Sequence, residues 1–400
     1  MPRPLVQRTS PRRSALIALA LCAALPATGR GQADDDPVVI DHANELRRVV
    51  EGDSLTYFLD GAVRAHRGPI QMRSDQASIF RLGQVADFQG NVHFWDATTE
   101  IYADRLLYYE GSDQALATGS VQVIDRRSGS QVAADTVLYD RPRDLITARP
   151  RPHGILLPQD TTRQEDPFHV WADLMVFHND STGTAMDGMG RVLIERTDLT
   201  AVGDSLHYDE RESRVALRKE PRVETLETYL TADRIDVLLE ENRIDALVAL
   251  DQARAVDKTD SLPPAVPAAF NNVSDHSFLE GDSLNIEFVD GEIDWLVAQG
   301  RARSLNYALE SPPGPIETWS INYLLGERLE LNFQGDTLSR VIASGGHRGV
   351  YRSEEVRRGG PERRPSQPIP MPPEIALLAG AGAAAPGAGR RPGRSARGTR

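Results

Sequence analysis

The feature that most constrains this chain is a short pattern built on one Asp, clearest at Ile101-Tyr102-Ala103-Asp104-Arg105-Leu106-Leu107-Tyr108. It returns about every thirty residues, at Ser74-Asp75, Ala134-Asp135, Ala172-Asp173, Gly203-Asp204, Ala232-Asp233 and Gly281-Asp282. Gly52-Asp53-Ser54-Leu55 opens the series, and Gly326-Glu327 reads as a worn last copy. So many copies outrun coincidence, and an internal repeat is the primary fact of the sequence.

A second pattern follows the Asp at a nearly fixed distance: Gly61-Ala62-Val63, Gly90-Asn91-Val92, Gly119-Ser120-Val121, Gly190-Arg191-Val192 and, decayed, Gly300-Arg301-Ala302. One repeat therefore reads strand, turn, strand, with Gly at the turn. Apolar residues alternate as in a half-buried strand, but the parity slips by one at the Asp: Val132 and Ala134 share one parity, Val137 and Tyr139 the other. Such a slip predicts a bulge or bend. A short carboxylate there can accept backbone N–H groups that the bend leaves unpaired. Catalysis or calcium binding would instead need Asp and Glu clustered within one copy.

Residues 1–33 combine Arg3, Arg8, Arg12 and Arg13 with an apolar run from Ala15 to Leu25 and small residues up to Ala33. This is the composition of a secretory signal peptide, cleaved after Gly29 or Ala33. The run is short of the roughly 20 apolar residues that span a bilayer. Cys22 is the single cysteine, so the mature chain holds neither disulfides nor thiolate metal sites. The formal charge of -13 conceals +5 from residues 1–30 and +7 from residues 357–400, which leaves -25 on the body between them. A body so acidic repels nucleic acid. The Arg, Pro, Gly and Ala of 357–400 are too poor in apolar surface to repay their ordering and predict a disordered tail.

Strand patterns such as Val121-Gln122-Val123 and Val192-Leu193-Ile194 recur with turn signals behind them, and the body reads as all-β. Only Ala232 to Ala249 carries a helix-like stripe. Proline gathers from Pro150 to Pro167, from Thr259 to Asp275 and at Pro312-Pro313-Gly314-Pro315, dividing the body into modules over 49–150, 168–256 and 278–352.

Three chemical motifs fail on context. Gly-Asp-Ser-Leu at Gly52, Gly203 and Gly281 matches an esterase nucleophile motif, but the copies sit at equivalent repeat positions without the partners of a nucleophile elbow. His93, His169, His178 and His207 lack metal-ligand spacing and read as strand-surface side chains. Gly188-Met189-Gly190 lacks the third glycine of a dinucleotide loop. The residues call for no catalytic group, metal or cofactor.

The run Gly90-Asn91-Val92, Ile101-Tyr102-Ala103-Asp104 with Leu106 and Tyr108, then Ala117-Thr118-Gly119-Ser120-Val121 resembles the OstA-like family. That family includes the periplasmic lipopolysaccharide-transport protein LptA and the N-terminal domain of LptD. The resemblance covers 50–145 well, 168–256 less and the part after 278 weakly. It implies a repeat-built antiparallel β-jellyroll, elongated and open along one side, whose interior shields the acyl chains of lipopolysaccharide. It also implies a periplasmic carrier or bridge without catalytic residues, associated with the outer membrane. Its partners would be lipid A, other transport components of the family, or further copies of itself added through edge strands.

The candidate groove residues are the inward-parity positions of the first module: Val92, Phe94, Ile101, Leu106, Tyr108, Val121, Val123, Val132, Val137 and Tyr139. The same positions suit an ordinary sandwich core. Each buried acyl CH2 is worth about 0.8 kcal/mol, which would let an acidic protein hold an anionic glycolipid. The alternative is a structural or adhesive envelope protein that uses its repeats as a scaffold. The two differ in whether the apolar face runs through the modules or closes within each.

Overall fold

The computed structural model describes residues 37–157, 166–180, 183–240, 243–258, 276–310, 316–335 and 337–357. The expected signal peptide, the tail beyond 357 and parts of the Pro-rich stretches lie outside the described residues.

The first strands are β1 (Val39–His42), β2 (Glu45–Glu51), β3 (Ser54–Arg67), β4 (Ile70–Phe80), β5 (Val85–Trp95), β6 (Thr99–Tyr109), β7 (Gln114–Asp125) and β8 (Gln131–Asp140). Next come β9 (Leu145–Arg149), β10 (His153–Leu156), β11 (Phe168–Trp171), β12 (Leu174–Asp180), β13 (Gly183–Arg196), β14 (Leu199–Asp209), β15 (Arg214–Arg218) and β16 (Arg222–Thr225). The last are β17 (Thr228–Thr231), β18 (Arg234–Glu240), β19 (Arg243–Asp257), β20 (Phe278–Val289), β21 (Glu292–Glu310), β22 (Ile316–Gln334), β23 (Thr337–Ser344) and β24 (Arg348–Arg357). All belong to one 24-stranded antiparallel sheet, so the chain is all-β with jellyroll character.

The sheet is folded double. Each long strand bends at its middle, so that one half pairs in a front wall and the other in a back wall. The front wall runs from β2 through Leu55–Asp60 of β3, the matching halves of β4–β8, then β9, β12 and onward to β23. The back wall runs from β1 through Val63–Arg67 of β3 to β10, β11 and finally β24. At several bends the strand breaks completely, as between β9 and β10, yet its two pieces hold the same two places. Alternate residues of both walls point into the space between them. Pairing continues past both long Pro-rich stretches, through β8 with β10, β9 with β12, and β19 with β20.

The bends explain the sequence pattern and correct part of it. The glycines expected at hairpin turns sit in mid-strand. Gly90 and Asn91 have φ of +74° and +47°, Gly119 and Ser120 +77° and +47°. Two consecutive left-handed residues turn the strand while its neighbours stay paired, with the ladder slipping between Gln89 and Val92 or between Thr118 and Val121. The Asp of the adjoining strand lies against the glycine. A Cβ on Gly90 would stand 2.6 Å from Asp75 Oδ2, and one on Gly119 would stand 2.5 Å from Asp104 Oδ2. Asp173 covers Gly190, Asp282 covers Gly300, and Glu327 covers Gly345 in the same way.

The carboxylates were expected to accept backbone N–H groups. Instead, at several bends they are met by the side chain that follows the glycine or takes the second place of the pair. Asn91 Nδ2 donates to Asp75 at 2.8 Å, Arg301 Nε to Asp282 at 3.0 Å, and Arg191 reaches Asp173. Gln252 Nε2 meets Asp233 at 3.4 Å. The backbone N–H at the Asp position is the donor to the bend, as from Asp173 to Gly190 O at 2.8 Å and from Glu327 to Gly345 O at 2.9 Å.

Gly52-Asp53 does not open this series. It forms the hairpin between β2 and β3, where Glu51 pairs with Ser54, and Asn44 takes the covering place over Gly61. Ser54 therefore belongs to a hairpin, whereas Ser205 and Ser283 lie beside bends in β14 and β20, so the three serines are not equivalent. The stripe at Ala232 to Ala249 is no helix. It falls on β18 and β19, and a register shift between Leu238 and Leu239 sets apolar residues side by side, which mimics a helical period.

Candidate functional site

All ten expected groove residues face the space between the walls. They are buried to 4% exposure or less, with Phe94, Ile101, Leu106, Tyr108 and Val137 at zero. They belong to one apolar cluster that extends from Val38 to Leu331. Phe94 packs against Tyr108, ring centroids 6.1 Å apart, and edge-on to Tyr139 at 6.4 Å. In this first region the two walls meet through these aromatic side chains.

Opposite the bends, the hairpin turns form two rims that meet along a seam. Over the first region the seam is held by polar side chains. Arg67, at the back rim, donates to the Tyr108 hydroxyl at 2.6 Å, and that hydroxyl donates to Asp113 of the front rim. Arg141, also on the front rim, donates to Asp113 at 2.6 Å and crosses to Asp96 of the back rim at 3.1 Å. The Tyr139 hydroxyl completes the latch, accepting from Thr99 at 3.4 Å and donating to Asp96 at 3.3 Å. Asp96 also accepts the backbone N–H groups of Thr98 and Thr99, both at 2.9 Å.

The charges of the latch are set by this arrangement. Burial alone would raise the Asp96 carboxyl, but the Thr98 and Thr99 amides and the Arg141 guanidinium outweigh it and hold it below the usual carboxylate range. Burial pushes the Tyr139 phenol up to about 12 and raises Tyr108 as well, so both hydroxyls stay donors far into the alkaline range. Neither the two arginines nor Asp96 and Asp113 stood out in sequence, because they lie 28 to 46 residues apart and only the folding of the sheet brings them together.

The next region is sealed differently. Leu156, Phe168, Val170 and Ile194 of the back wall face Met186, Leu206, Tyr208 and Val215 of the front wall around an apolar cavity of about 20 Å3, with Leu157 also in its lining. That volume admits one water molecule. Tyr208 stands at the repeat position of Tyr108 and Tyr139, four residues after its Asp, but no protein group among the described residues bonds its hydroxyl. Burial and the nearby Glu210 and Asp209 still raise it to about 12. Leu157 remains 38% exposed at the mouth.

No group of three or more potential metal ligands occurs among the described residues. No protein-family model matches the chain, and no curated protein matches it. Among solved structures the chain is similar to LptH, the LptA-homologous periplasmic component of the lipopolysaccharide transport device from Pseudomonas aeruginosa, with 14% identity and a TM-score of 0.26 over 29% of this chain and 85% of that one. A likeness this slight places neither site nor function on the chain.

Proposed function

We propose that the protein is a non-enzymatic periplasmic carrier or bridge for lipopolysaccharide, which shields lipid A acyl chains between its two apolar walls. The observation that carries this reading is the main apolar cluster, which runs from Val38 to Leu331 past both Pro-rich stretches. Modules made only to stand beside one another need no shared inner face. Acyl chains gain access where the seam is apolar, at Leu156, Leu157, Phe168 and Tyr208, and the walls part there to admit them. Each CH2 taken from water contributes about 0.8 kcal/mol toward the opening. The sequence resemblance to the OstA-like family points the same way, as do the edge strands β1, β2, β23 and β24, each a template for a further strand.

A second reading has its own support. Interior residues at zero exposure, such as Phe94 and Tyr108, are what a closed scaffold would show. Native mass spectrometry separates the two. The chain is secreted to the periplasm of a lipopolysaccharide-producing host, purified without detergent and weighed. Lipid A-bearing species that accompany the protein, and leave it in a folded Leu157→Glu variant, support the carrier. A folded protein that arrives empty and takes up no added lipid makes it an envelope scaffold.

A further inference from the structure

The outer face of the back wall carries a row that the lipid reading does not use. His42, Arg64, Arg73, His93 and Tyr102 stand in direct cross-strand register, one each from β1, β3, β4, β5 and β6. No carboxylate interrupts the row, although the body around it is strongly acidic. Arg64 and Arg73 are exposed and directly opposed, and like charges in that relation destabilise a sheet. Among the described residues neither has a carboxylate partner. Carboxylates flank the row without entering it: Asp41 contacts His66 at 2.8 Å, Glu100 stands 3.7 Å from His93 Nε2, and the bend carboxylate Asp75 accepts from Asn91 at 2.8 Å.

The arginines adjoin a set of flat rings. The Arg73 guanidinium lies 5.0 Å over Trp95. His93 stacks on Trp95 at 4.2 Å and on Tyr102 at 4.4 Å, the latter pair only 7° from parallel. Tyr102 keeps 38% of its surface exposed. A guanidinium placed over an indole is restricted in position by the ring. The Cα atoms of Arg64 and Arg73 are directly opposed, about 5 Å apart, so the two side chains can reach one phosphate or carboxylate. Rings with apolar bodies and polar edges beside such a pair suit a sugar, whose C–H face packs on a ring while its hydroxyls reach the edges.

We propose that this face binds an anionic sugar, a pyranose bearing one phosphate or carboxylate. The anion sits between Arg64 and Arg73, and the sugar ring lies against the exposed Tyr102, which is itself stacked on His93. The charge of the body opposes an extended polyanion but leaves a single anion to the local field of the two arginines. The site is on the opposite face from the apolar interior, so it stands or falls independently of lipid carriage.

The test titrates glucose 1-phosphate into the full chain at low salt, by calorimetry and tryptophan fluorescence, with glucose, inorganic phosphate and phosphatidylglycerol vesicles as comparators. Saturable binding of the sugar phosphate is expected, weakened about tenfold or more by Arg64→Gln or Arg73→Gln and several-fold by Tyr102→Ala. Glucose and phosphate alone bind at least about tenfold more weakly, since each offers half of the contacts. Because the arginines repel each other, Arg64→Gln leaves the melting temperature unchanged or raises it. Phosphate binding as tight as that of the sugar phosphate, with Tyr102→Ala silent, overturns the proposal, as does binding to vesicles only, binding of none of the probes, or a fall in melting temperature for Arg64→Gln.

Discussion

The first region, from β1 to β9, and the second, from β10 to β19, use one architecture with different fastenings. In the first, bends at Gly61, Gly90 and Gly119 let the Asn or Asp of the adjoining strand pack against bare backbone, and the seam is closed by Arg67, Arg141, Asp96 and Asp113. In the second, Gly190 keeps the pattern, but Lys219-Glu220 and Asp251-Gln252 take left-handed conformations without glycine, at φ of +63° and +53° and of +63° and +54°. Its seam is apolar at the cavity, and its tyrosine hydroxyl has no protein partner among the described residues. The contrast shows that the double fold does not require either device. Both regions keep a fully buried interior, with Met186 and Leu217 at zero exposure in the second as Phe94 and Tyr108 are in the first.

The largest effect expected from breaking this contrast is at a bend. Gly119→Val puts a branched side chain at φ +77° against the Asp104 carboxylate and should cost about 3–5 kcal/mol in denaturant unfolding. The converse change, Gln252→Gly, relieves left-handed strain but removes the contact to Asp233, so a shift within about 1 kcal/mol is expected. Next comes the latch. Arg141→Ala removes the cation facing the Asp96 carboxylate, whose side chain is 7% exposed, and should cost about 2–4 kcal/mol, with hydrogen exchange rising first in β6 to β9. Smaller again is the loss of one hydroxyl: Tyr139→Phe costs about 1 kcal/mol, whereas Tyr208→Phe is neutral within about 0.5 kcal/mol. Equal losses at the two tyrosines would erase the distinction between the seams.

The smallest effect is in pH. His153 of β10 stacks on Trp171 at 4.5 Å and contacts His169, ring nitrogens 3.1 Å apart. Burial, then the neighbouring His169, lowers its pKa. A histidine so lowered binds protons more readily unfolded than folded, so its contribution is complete above about pH 6.5 and fades as pH falls below that. The Asp96 carboxyl is also lowered, from a far lower starting value, so the latch keeps its contribution until below about pH 4. Hydrogen exchange at pH 7 and pH 5.5 should therefore show loosening around β10 and β11, and His153→Gln should flatten it there; burial lowers the pKa of His93 of β5 in the same direction.

These contrasts also mark how far the sequence could be read. The strand parity was legible, and with it all ten interior positions, because alternation is local. The Asp and Gly repeats were legible as a pair, but their geometry was not. Gly-Asp-Ser serves a hairpin at Gly52 and a bend at Gly203 and Gly281, and only backbone φ and strand pairing tell the uses apart. Asn44 escaped notice because an amide was doing a carboxylate's work. The latch left no local trace, since its members meet across two rims, and the row from His42 to Tyr102 takes one residue from each of five strands.

The order of pairing has a consequence for how the chain acquires its form. Nearly every strand bonds to the strand just before or just after it, or to the next fragment of the same wall. Ring closures are therefore short, and topologies of this kind form quickly for their size. Each finished hairpin is an edge on which the next can be laid, so assembly can advance from one end as successive segments arrive. A polypeptide threaded through a translocation pore, amino end leading, would need nothing from its later segments to begin.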